Sequence, residues 1–449
     1  MGRVGMKIRA GDGCEEMGHP EMLSTPLFYC ANPSDKLTLL DTGYKFNVAT
    51  YRPEIDPQWL YTYTYAAEQS WTIYNGDLSG ASYRQDDYFF EESVYFRICL
   101  RKINGEVFDG TEDISKIIVF ETAYHSHVIA SARSNPDSAL VTGRTEQTEA
   151  NTWITSEVHR VTKRVAKLRE RGDMVFALLA DSHYNVNGTW GDTQNAMEQL
   201  SRGIKLDGII HLGDMSDGMV TSDATQHYVK IILDGLHQCG APVWIALGNH
   251  DTNYFRNNYE YFTVEQQRKL YYNGGETRYV VDLTGLCLIF IDSFDKNEEL
   301  RYGYTPECAN WLEQTLTNIP DGSRAIILSH LPPLTRLQYW VSTLRGEAEI
   351  VEILKRHRGK ILAWLNGHNH ADRLDNEEGF PIVSIANAKC EAFSEYKTEG
   401  FVTPDRRLGD ATQEAFDLVI VNADSRTIRF IRFGAGNDRI ISNGKAEWV

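Results

Sequence analysis

Five short apolar runs, each ending in residue types that bind metals, restrict the fold of this 449-residue chain more than any other feature. Each run is rich in Ile, Leu, Val and Ala, which is typical of a strand buried on both faces. In an open α/β sheet, ligands bind outside the carboxyl ends of the strands, so the five ends are expected to meet in one site. The runs with their polar ends are Val175–His183, Gly208–Asp214, Val243–Asp251, Ala325–His330 and Ile361–His370.

The polar ends supply carboxylate, amide and imidazole groups without any thiolate. That donor set suits Mn, Fe, Zn or Ni and differs from the Cys-rich set of a structural zinc site. In a D-x-H or H-x-H pair, alternate residues of an extended segment project to the same side, so each pair directs two side chains to one place. One such pair is weak evidence, but five polar ends on five strands together predict a metal centre.

The order of these ends resembles the signature of a known family. They read DSH at Asp181–His183, GD at Gly213–Asp214, GNHD at Gly248–Asp251, a lone His330 and GHNH at Gly367–His370. The calcineurin-like metallophosphoesterases carry D-x-H, G-D, G-N-H with Asp or Glu, a lone H and G-H-x-H in the same order. The resemblance covers roughly residues 173–435.

The resemblance implies an α/β fold, the four-layer αββα sandwich, around two divalent transition-metal ions. A hydroxide between the ions would attack phosphorus in line, and His250 would protonate the leaving oxygen as general acid. Asp251 would either orient His250 or cap the next segment, and Asp217 is interpreted as a structural turn carboxylate. Asp214 would bridge the ions. One ion would take Asp181, His183 and His370, and the other would take Asn249, His330 and His368.

The first 125 residues have an all-β pattern and are predicted to form an N-terminal β-sandwich accessory domain. Apolar and polar residues alternate in Tyr61–Tyr65 and in Val94–Arg101, and Asn104-Gly105 predicts a hairpin into Val107-Phe108. Residues 1–24 are interpreted as a leader without periodicity. The many aromatic residues of this domain are interpreted chiefly as core packing, with stacking on the sugar rings of a glycan as the alternative.

Residues 126–172 are predicted to be a linker with a bridging helix, and residues 173–449 to be the metallophosphoesterase domain. The helix is expected from about Glu149 to Glu170, where apolar residues recur at heptad spacing. His125 and His127 are interpreted as part of the polar linker and not as a metal pair. Further helices are expected at Ser222–Cys239 and after Thr305-Pro306, a capping residue followed by proline.

Composition and charge disfavour several classes of protein. The 45 basic and 62 acidic residues give a net charge of −17, which disfavours nucleic acid as the main partner. The seven cysteines are scattered and form no C-x-x-C pair; Cys239, Cys287 and Cys308 are interpreted as small buried residues, and nothing in the sequence requires an oxidising compartment. The amino terminus lacks the apolar stretch of a signal peptide, and no apolar run is long enough for a membrane span. We expect synthesis in the cytoplasm without a membrane partner, and a virion-associated final location is one option left open.

The sequence therefore predicts a dinuclear metal-dependent phosphohydrolase that acts on a phosphomonoester or a phosphodiester. The alternative is a surface or virion-associated structural protein. In that case the N-terminal domain would bind a glycan or cell-surface polymer, and the hydrolase would cleave a phosphodiester-linked polymer.

Overall fold

A computed structural model of the chain describes residues 3–8, 15–24, 29–31, 35–51, 85, 87–91, 94–109, 112, 116–121, 152–184, 189–218, 221–254, 260–294, 302–390, 399–407 and 409–449. The N-terminal strands among them form two antiparallel sheets, one of five strands and one of three. The strands are β1 (Arg3–Ile8), β2 (Glu15–Ser24), β3 (Tyr29–Ala31), β4 (Lys36–Leu39), β5 (Tyr44–Tyr51), β6 (Tyr88–Phe89), β7 (Val94–Lys102) and β8 (Ile118–Glu121).

The two N-terminal sheets share one buried apolar cluster. Phe46 of β5 and Phe96 of β7 come from the five-stranded sheet, and Leu37 of β4 and Ile118 of β8 come from the three-stranded sheet. The alternation predicted for β7 is confirmed on its buried face, which carries Phe96, Ile98 and Leu100. The N-terminal region is therefore a β structure with its own core.

Two predictions for this region are wrong. The segment interpreted as a leader contains β1 and β2, which pair with each other, and β2 also pairs with β7. No hairpin strand follows Asn104-Gly105, because residues 105–109 are irregular. Phe108 instead turns into the apolar cluster, with 4% of its surface exposed, and its amide donates to the Pro20 carbonyl at 3.0 Å. Tyr61–Tyr65, His125 and His127 lie outside the described residues.

The C-terminal part contains a seven-stranded sheet in the order β11-β10-β9-β18-β19-β20-β21 and a six-stranded sheet in the order β12-β13-β14-β15-β17-β16. Strands β9 to β11 run parallel to one another, as do β13, β14, β15 and β17. The strands are β9 (Met174–Leu179), β10 (Gly208–His211), β11 (Val243–Ile245), β12 (Tyr279–Leu283), β13 (Leu286–Phe290), β14 (Arg324–Ser329), β15 (Ile361–Asn366), β16 (Arg373–Asp375), β17 (Ile382–Ser384), β18 (Ala415–Asn422), β19 (Thr427–Gly434), β20 (Arg439–Ser442) and β21 (Lys445–Trp448).

Helices cover the outer faces of both sheets. The described helices are α1 (Thr152–Leu168), α2 (Trp190–Gly203), α3 (Ser222–Gln238), α4 (Val264–Tyr272), α5 (Pro306–Asn318) and α6 (Glu347–His357). At the start of α5, the Thr305 hydroxyl accepts a hydrogen bond from the Cys308 amide at 3.1 Å and proline follows, as predicted.

Alternate residues of β9 show the layers directly. Val175, Ala177 and Leu179 pack beneath α1, α2 and α3, whereas Phe176 and Leu178 pack against residues of the six-stranded sheet. A third buried cluster joins the other face of the six-stranded sheet to α5 and α6. The order is therefore helices, sheet, sheet, helices, which confirms the predicted αββα architecture.

Helix α1 belongs to the outer helical layer. Ile154, Val161 and Val165 are buried against the seven-stranded sheet, and α1 also contacts α2. The helix thus covers the sheet directly, and its predicted role as a bridge to the N-terminal domain stays a prediction, as do the domain boundaries. Among the described residues, no helix combines the length and the apolar content needed to cross a bilayer.

Candidate metal centre

All seven predicted ligand side chains converge at the carboxyl ends of β9, β10, β11, β14 and β15. None of them has more than 6% of its surface exposed. His183 Nε2 lies 3.1 Å from His370 Nε2, and His330 Nε2 lies 3.1 Å from His368 Nδ1. His330 Nε2 is also 3.1 Å from Asn249 Oδ1 and 2.9 Å from Asp214 Oδ2, and Asp181 Oδ1 is 3.5 Å from His370 Nε2.

These distances fit coordination of metal ions. Donor atoms bound to one ion at about 2.1 Å are separated by about 3–4 Å. Two imidazole nitrogens that face each other at 3.1 Å cannot both carry hydrogens, and lone pairs directed to a common point favour a cation between them. Three groups of donors lie within 4.8 Å of one another: Asp181, His183 and His370; His183, Asp214 and His250; and Asp214, His330 and His368.

The backbone is strained at most of these positions. A non-glycine residue rarely adopts a positive φ, and such residues cluster at functional sites. Five of the nine positive-φ non-glycine residues in the described chain are predicted ligands. They are Asp181 (52°), His183 (36°), Asp214 (56°), His368 (69°) and His370 (51°).

Backbone hydrogen bonds hold the first two loops of the site together. The Asp181 amide donates to the Gly213 carbonyl at 2.9 Å, and the His183 amide donates to the Asp214 carbonyl at 3.0 Å. Two motif glycines are required by the carboxylates beside them. A Cβ on Gly248 would lie 2.1 Å from Asp214 Oδ1, and a Cβ on Gly367 would lie 2.5 Å from Asp181 Oδ2.

His250, the predicted general acid, lies beside the ligands. Its amide donates to Asp214 Oδ1 at 2.9 Å, and its Nε2 lies 4.0 Å from Asp214 Oδ2. Its Nδ1 contacts the Asp217 carbonyl, which leaves Nε2 to face the site. Burial lowers the pKa of His250, although the Asp214 carboxylate opposes that effect.

One of the two roles predicted for Asp251, orientation of His250, does not agree with the hydrogen bonds of its side chain. Its Oδ2 accepts from the amides of Asp214 at 2.7 Å and Gly248 at 2.9 Å, and its Oδ1 accepts from the Met215 amide at 2.9 Å. Burial raises the pKa of Asp251 to about 6. Asp251 therefore joins the loops after β10 and β11, and the partner of the His250 imidazole is the Asp217 carbonyl.

The ligand histidines differ in their electrostatics. Burial lowers the pKa of His183 and holds that of His368 well below its usual value, so both are neutral and ready to coordinate. Burial also disfavours the charged form of His330, but the Asp214 carboxylate outweighs burial and raises the pKa of His330 to about 9.

Comparison with known families agrees with this geometry. Residues 174–372 match the family described as calcineurin-like phosphoesterase. These residues form a calcineurin-like phosphoesterase domain. The family indicates a phosphoester hydrolase. The chain has no match among the curated proteins compared with it.

Several solved structures are similar to the phosphoesterase fold of this chain. A dimetal phosphatase from Danio rerio has 16% identity and a TM-score of 0.46, with 60% of this chain and 98% of that chain covered. A purple acid phosphatase from yellow lupin has 11% identity and a TM-score of 0.41, with coverage of 97% and 80%. A phosphopantetheinyl hydrolase from Mycobacterium tuberculosis has 14% identity and a TM-score of 0.33, with coverage of 48% and 90%.

Asp217 and His211 make contacts at the phosphoesterase site that the sequence did not reveal. Asp217 Oδ1 lies 3.3 Å from His183 Nδ1, so a buried carboxylate stands beside the imidazole of a predicted ligand. His211 Nδ1 accepts from the Gly213 amide at 3.2 Å, so its Nε2 carries the hydrogen and donates to Ser182 Oγ at 2.7 Å. Burial lowers the pKa of His211 to about 4, which keeps this imidazole neutral.

A buried ion-pair network connects the GHNH turn to strands β18, β19 and β20. Arg432 of β19 donates to Asp417 of β18 at 3.0 Å and to Asp372 at 2.6 Å. Arg439 of β20 donates to Asp417 at 2.5 Å and lies 3.6 Å from Asp372. All four side chains are at most 1% exposed, and Asp372 follows His370 by two residues. The network therefore ties a ligand-bearing turn of the phosphoesterase domain to strands that lie beyond residue 372.

Proposed function

We propose that the phosphoesterase domain is a dinuclear metal-dependent hydrolase of phosphomonoesters or phosphodiesters. The observation that supports it best is the convergence of seven buried donor side chains, five of them on strained backbone. Strain at five ligand positions costs stability, and it persists where the surrounding structure and the function require it.

The proposed ligand sets are built on two of the three groups of donors. Asp181, His183 and His370 would hold one ion. Asp214, which belongs to two groups, would bridge to the second ion. The second set is Asn249, His330 and His368. Two divalent ions held by these residues, of which manganese is one candidate, would neutralise the phosphate oxygens and lower the pKa of water at the site.

The chain itself supplies proton transfer and positioning. His250 Nδ1 faces the Asp217 carbonyl, so a second proton on this ring would sit on Nε2, on the side of the site. From there His250 would donate to the leaving oxygen. Asp217 and Asp251 do not contact the substrate in this proposal. Asp251 holds the loops after β10 and β11 in place, and Asp217 lies beside the His183 ring.

The proposed N-terminal β-sandwich, residues 1–125, and any glycan partner for it stay predictions. The experiment for this domain is binding of glycans by the full chain, measured with and without the phosphoesterase substrate.

The proposed hydrolase is tested with metal-free protein and a panel of phosphomonoesters and phosphodiesters. Chelation should abolish hydrolysis, and Mn²⁺ should restore it, because the proposal assigns the activation of water to the ions. Asp181→Asn should lose both metal and activity, whereas the matched control Asp424→Asn, at an exposed turn, should keep both. Undiminished hydrolysis by protein that is verified to be metal-free would contradict the proposal.

A further inference from the structure

Aromatic rings flank both histidines of the GHNH turn. The Trp340 ring centroid lies 6.1 Å from that of His370, and the Tyr302 ring centroid lies 6.0 Å from that of His368. Trp340 is 40% exposed, although it lies beside one of the most buried regions of the protein. A large aromatic surface is therefore open to solvent at the proposed metal centre.

The position of Trp340 is fixed by the metal-binding turn itself. Asn369, between the two ligand histidines, accepts from the Tyr339 amide at 2.9 Å through Oδ1 and donates to the Leu337 carbonyl at 2.8 Å through Nδ2. Asn369 is fully buried and Leu337 is 1% exposed. Because both hydrogen bonds join one buried side chain to the backbone of the Trp340 segment, this segment keeps a set distance from the ligands.

Trp340 belongs to a row of aromatic rings. Tyr339 packs edge to face with Trp340 at 4.6 Å and with Phe401 at 5.7 Å. The Arg373 guanidinium lies over Phe401 at 4.5 Å. Nucleobases stack on aromatic side chains with about 1–3 kcal/mol per base, because every base has a planar π-face. The row of rings therefore suits a planar heteroaromatic ring, and a carbohydrate ring is the competing partner.

We propose that Trp340 stacks on a planar heteroaromatic ring carried by the substrate, so that the substrate class is a nucleotide-like phosphoester. The proposal rests on the phosphoesterase function proposed above, because the phosphate must bind at the adjacent centre. Trp340 is a specificity-determining residue in this view and takes no part in metal binding or proton transfer.

The test compares ligands that differ only in the base. The probes are phosphonate analogues of adenosine 5′-monophosphate and ribose 5-phosphate, in which a methylene group replaces the ester oxygen and prevents hydrolysis. The matching analogue of glucose 6-phosphate represents a carbohydrate ring. Affinities for the full chain loaded with Mn²⁺ are measured by calorimetry, and hydrolysis of the parent esters is measured separately.

The wild-type protein should bind the adenosine analogue about 5- to 150-fold more tightly than the ribose analogue, which is the range expected for stacking on one aromatic side chain. Trp340→Leu should reduce that ratio to about one while leaving ribose-analogue affinity and metal content unchanged. Trp340→Phe, with a smaller ring, should give an intermediate ratio and replaces the leucine variant if that variant fails to fold. Trp448→Leu, at an equally exposed tryptophan on β21, should leave the ratio unchanged.

Three results would overturn the stacking role. They are a wild-type ratio near one, a ratio that survives Trp340→Leu, and a Trp340-dependent preference for the glucose analogue. A fourth result would overturn it as well: if Trp340→Leu loses affinity equally for the adenosine and ribose analogues and also loses metal, Trp340 only packs against His370. If no ester is hydrolysed but base-dependent binding through Trp340 persists, the hydrolase proposal fails and the stacking site stands.

Discussion

Replacing Arg432 by methionine should destabilise the protein strongly, because it leaves two buried carboxylates with one guanidinium. The substitution removes three hydrogen bonds, to Asp417 at 3.0 Å, to Asp372 at 2.6 Å and to the Ala435 carbonyl at 2.9 Å. Methionine fills a similar volume, so the cost is mainly electrostatic. Breaking a buried pair by removing one partner costs about 3–5 kcal/mol.

The assay for Arg432→Met is urea unfolding at fixed temperature, with Arg429→Met as the control on the same strand. Arg429 is only partly buried, and its replacement should change the free energy of unfolding by no more than about 0.5 kcal/mol. The double variant Arg432→Met with Asp417→Asn removes one charge of each sign. It should therefore recover part of the loss, which a non-additive mutant cycle reports.

The loss caused by Arg432→Met should also depend on pH in a defined direction. In the wild type, burial acts to raise the pKa of Asp417, but Arg432 and Arg439 outweigh it and lower that pKa, so the ion pairs persist from pH 8 to pH 5. In the variant, burial raises the pKa of one carboxyl above its unfolded value, and this carboxyl takes up a proton on acidification. The destabilisation should therefore be larger at pH 8 than at pH 5. A loss below about 1 kcal/mol at pH 8, or one that grows on acidification, would refute this reasoning.

Four further predictions concern the site and the domains. Asp214→Asn should lower metal occupancy at both sites, whereas His183→Ala should chiefly empty one, and full occupancy in Asp214→Asn by elemental analysis would contradict the bridging role. His250→Asn should keep both metals and lose about 10²–10⁴ in rate on esters with alkoxide-like leaving groups but clearly less on nitrophenyl esters; equal losses on both would exclude proton donation. A chain that begins at Glu149 should retain α1, fold, and hydrolyse small substrates, and insolubility of that chain would show that the N-terminal sheets are required. Burial raises the pKa of Glu414 to about 7, so the free energy of unfolding should fall as pH rises from about 4.5 to about 7. Glu414→Gln should stabilise the protein by up to roughly 3 kcal/mol at pH 8 and should give no stabilisation at pH 4.5, as measured by unfolding midpoints at the two pH values.

The parts of the fold that the sequence predicts well are those encoded by local patterns. The apolar run before Asp181 and the run before His368 specify buried strands without reference to the rest of the chain. The rule that ligands bind at the carboxyl ends of strands then brings the polar ends together. Helix α5 was predictable for a similar reason, since Thr305 and the proline after it act within one turn.

The parts that the sequence does not predict depend on contacts between distant residues. Asp251 bonds to amides of the loop after β10, which lies 36 and 37 residues away, and no pattern around Asp251 indicates this. Arg432 and Asp372 are 60 residues apart, and each alone looks like an ordinary charged residue. Strand β2 shows little alternation of apolar and polar residues, so its sequence alone does not predict a strand. Backbone pairing with β1 and β7 defines it instead.

The pairing of β9 has a consequence for how the protein is made. Strand β9, which leads directly into Asp181, is hydrogen-bonded on one side to β10 and on the other side to β18. Strand β18 ends roughly 240 residues later in the chain, beyond the last residue of the family match. At about 5–20 residues per second, a ribosome needs roughly 12–50 s to synthesise that interval, during which one edge of β9 has no partner strand. The sheet that carries Asp181 is therefore complete only after β18 has been synthesised, and an unpaired apolar edge is exposed to other nascent chains until then.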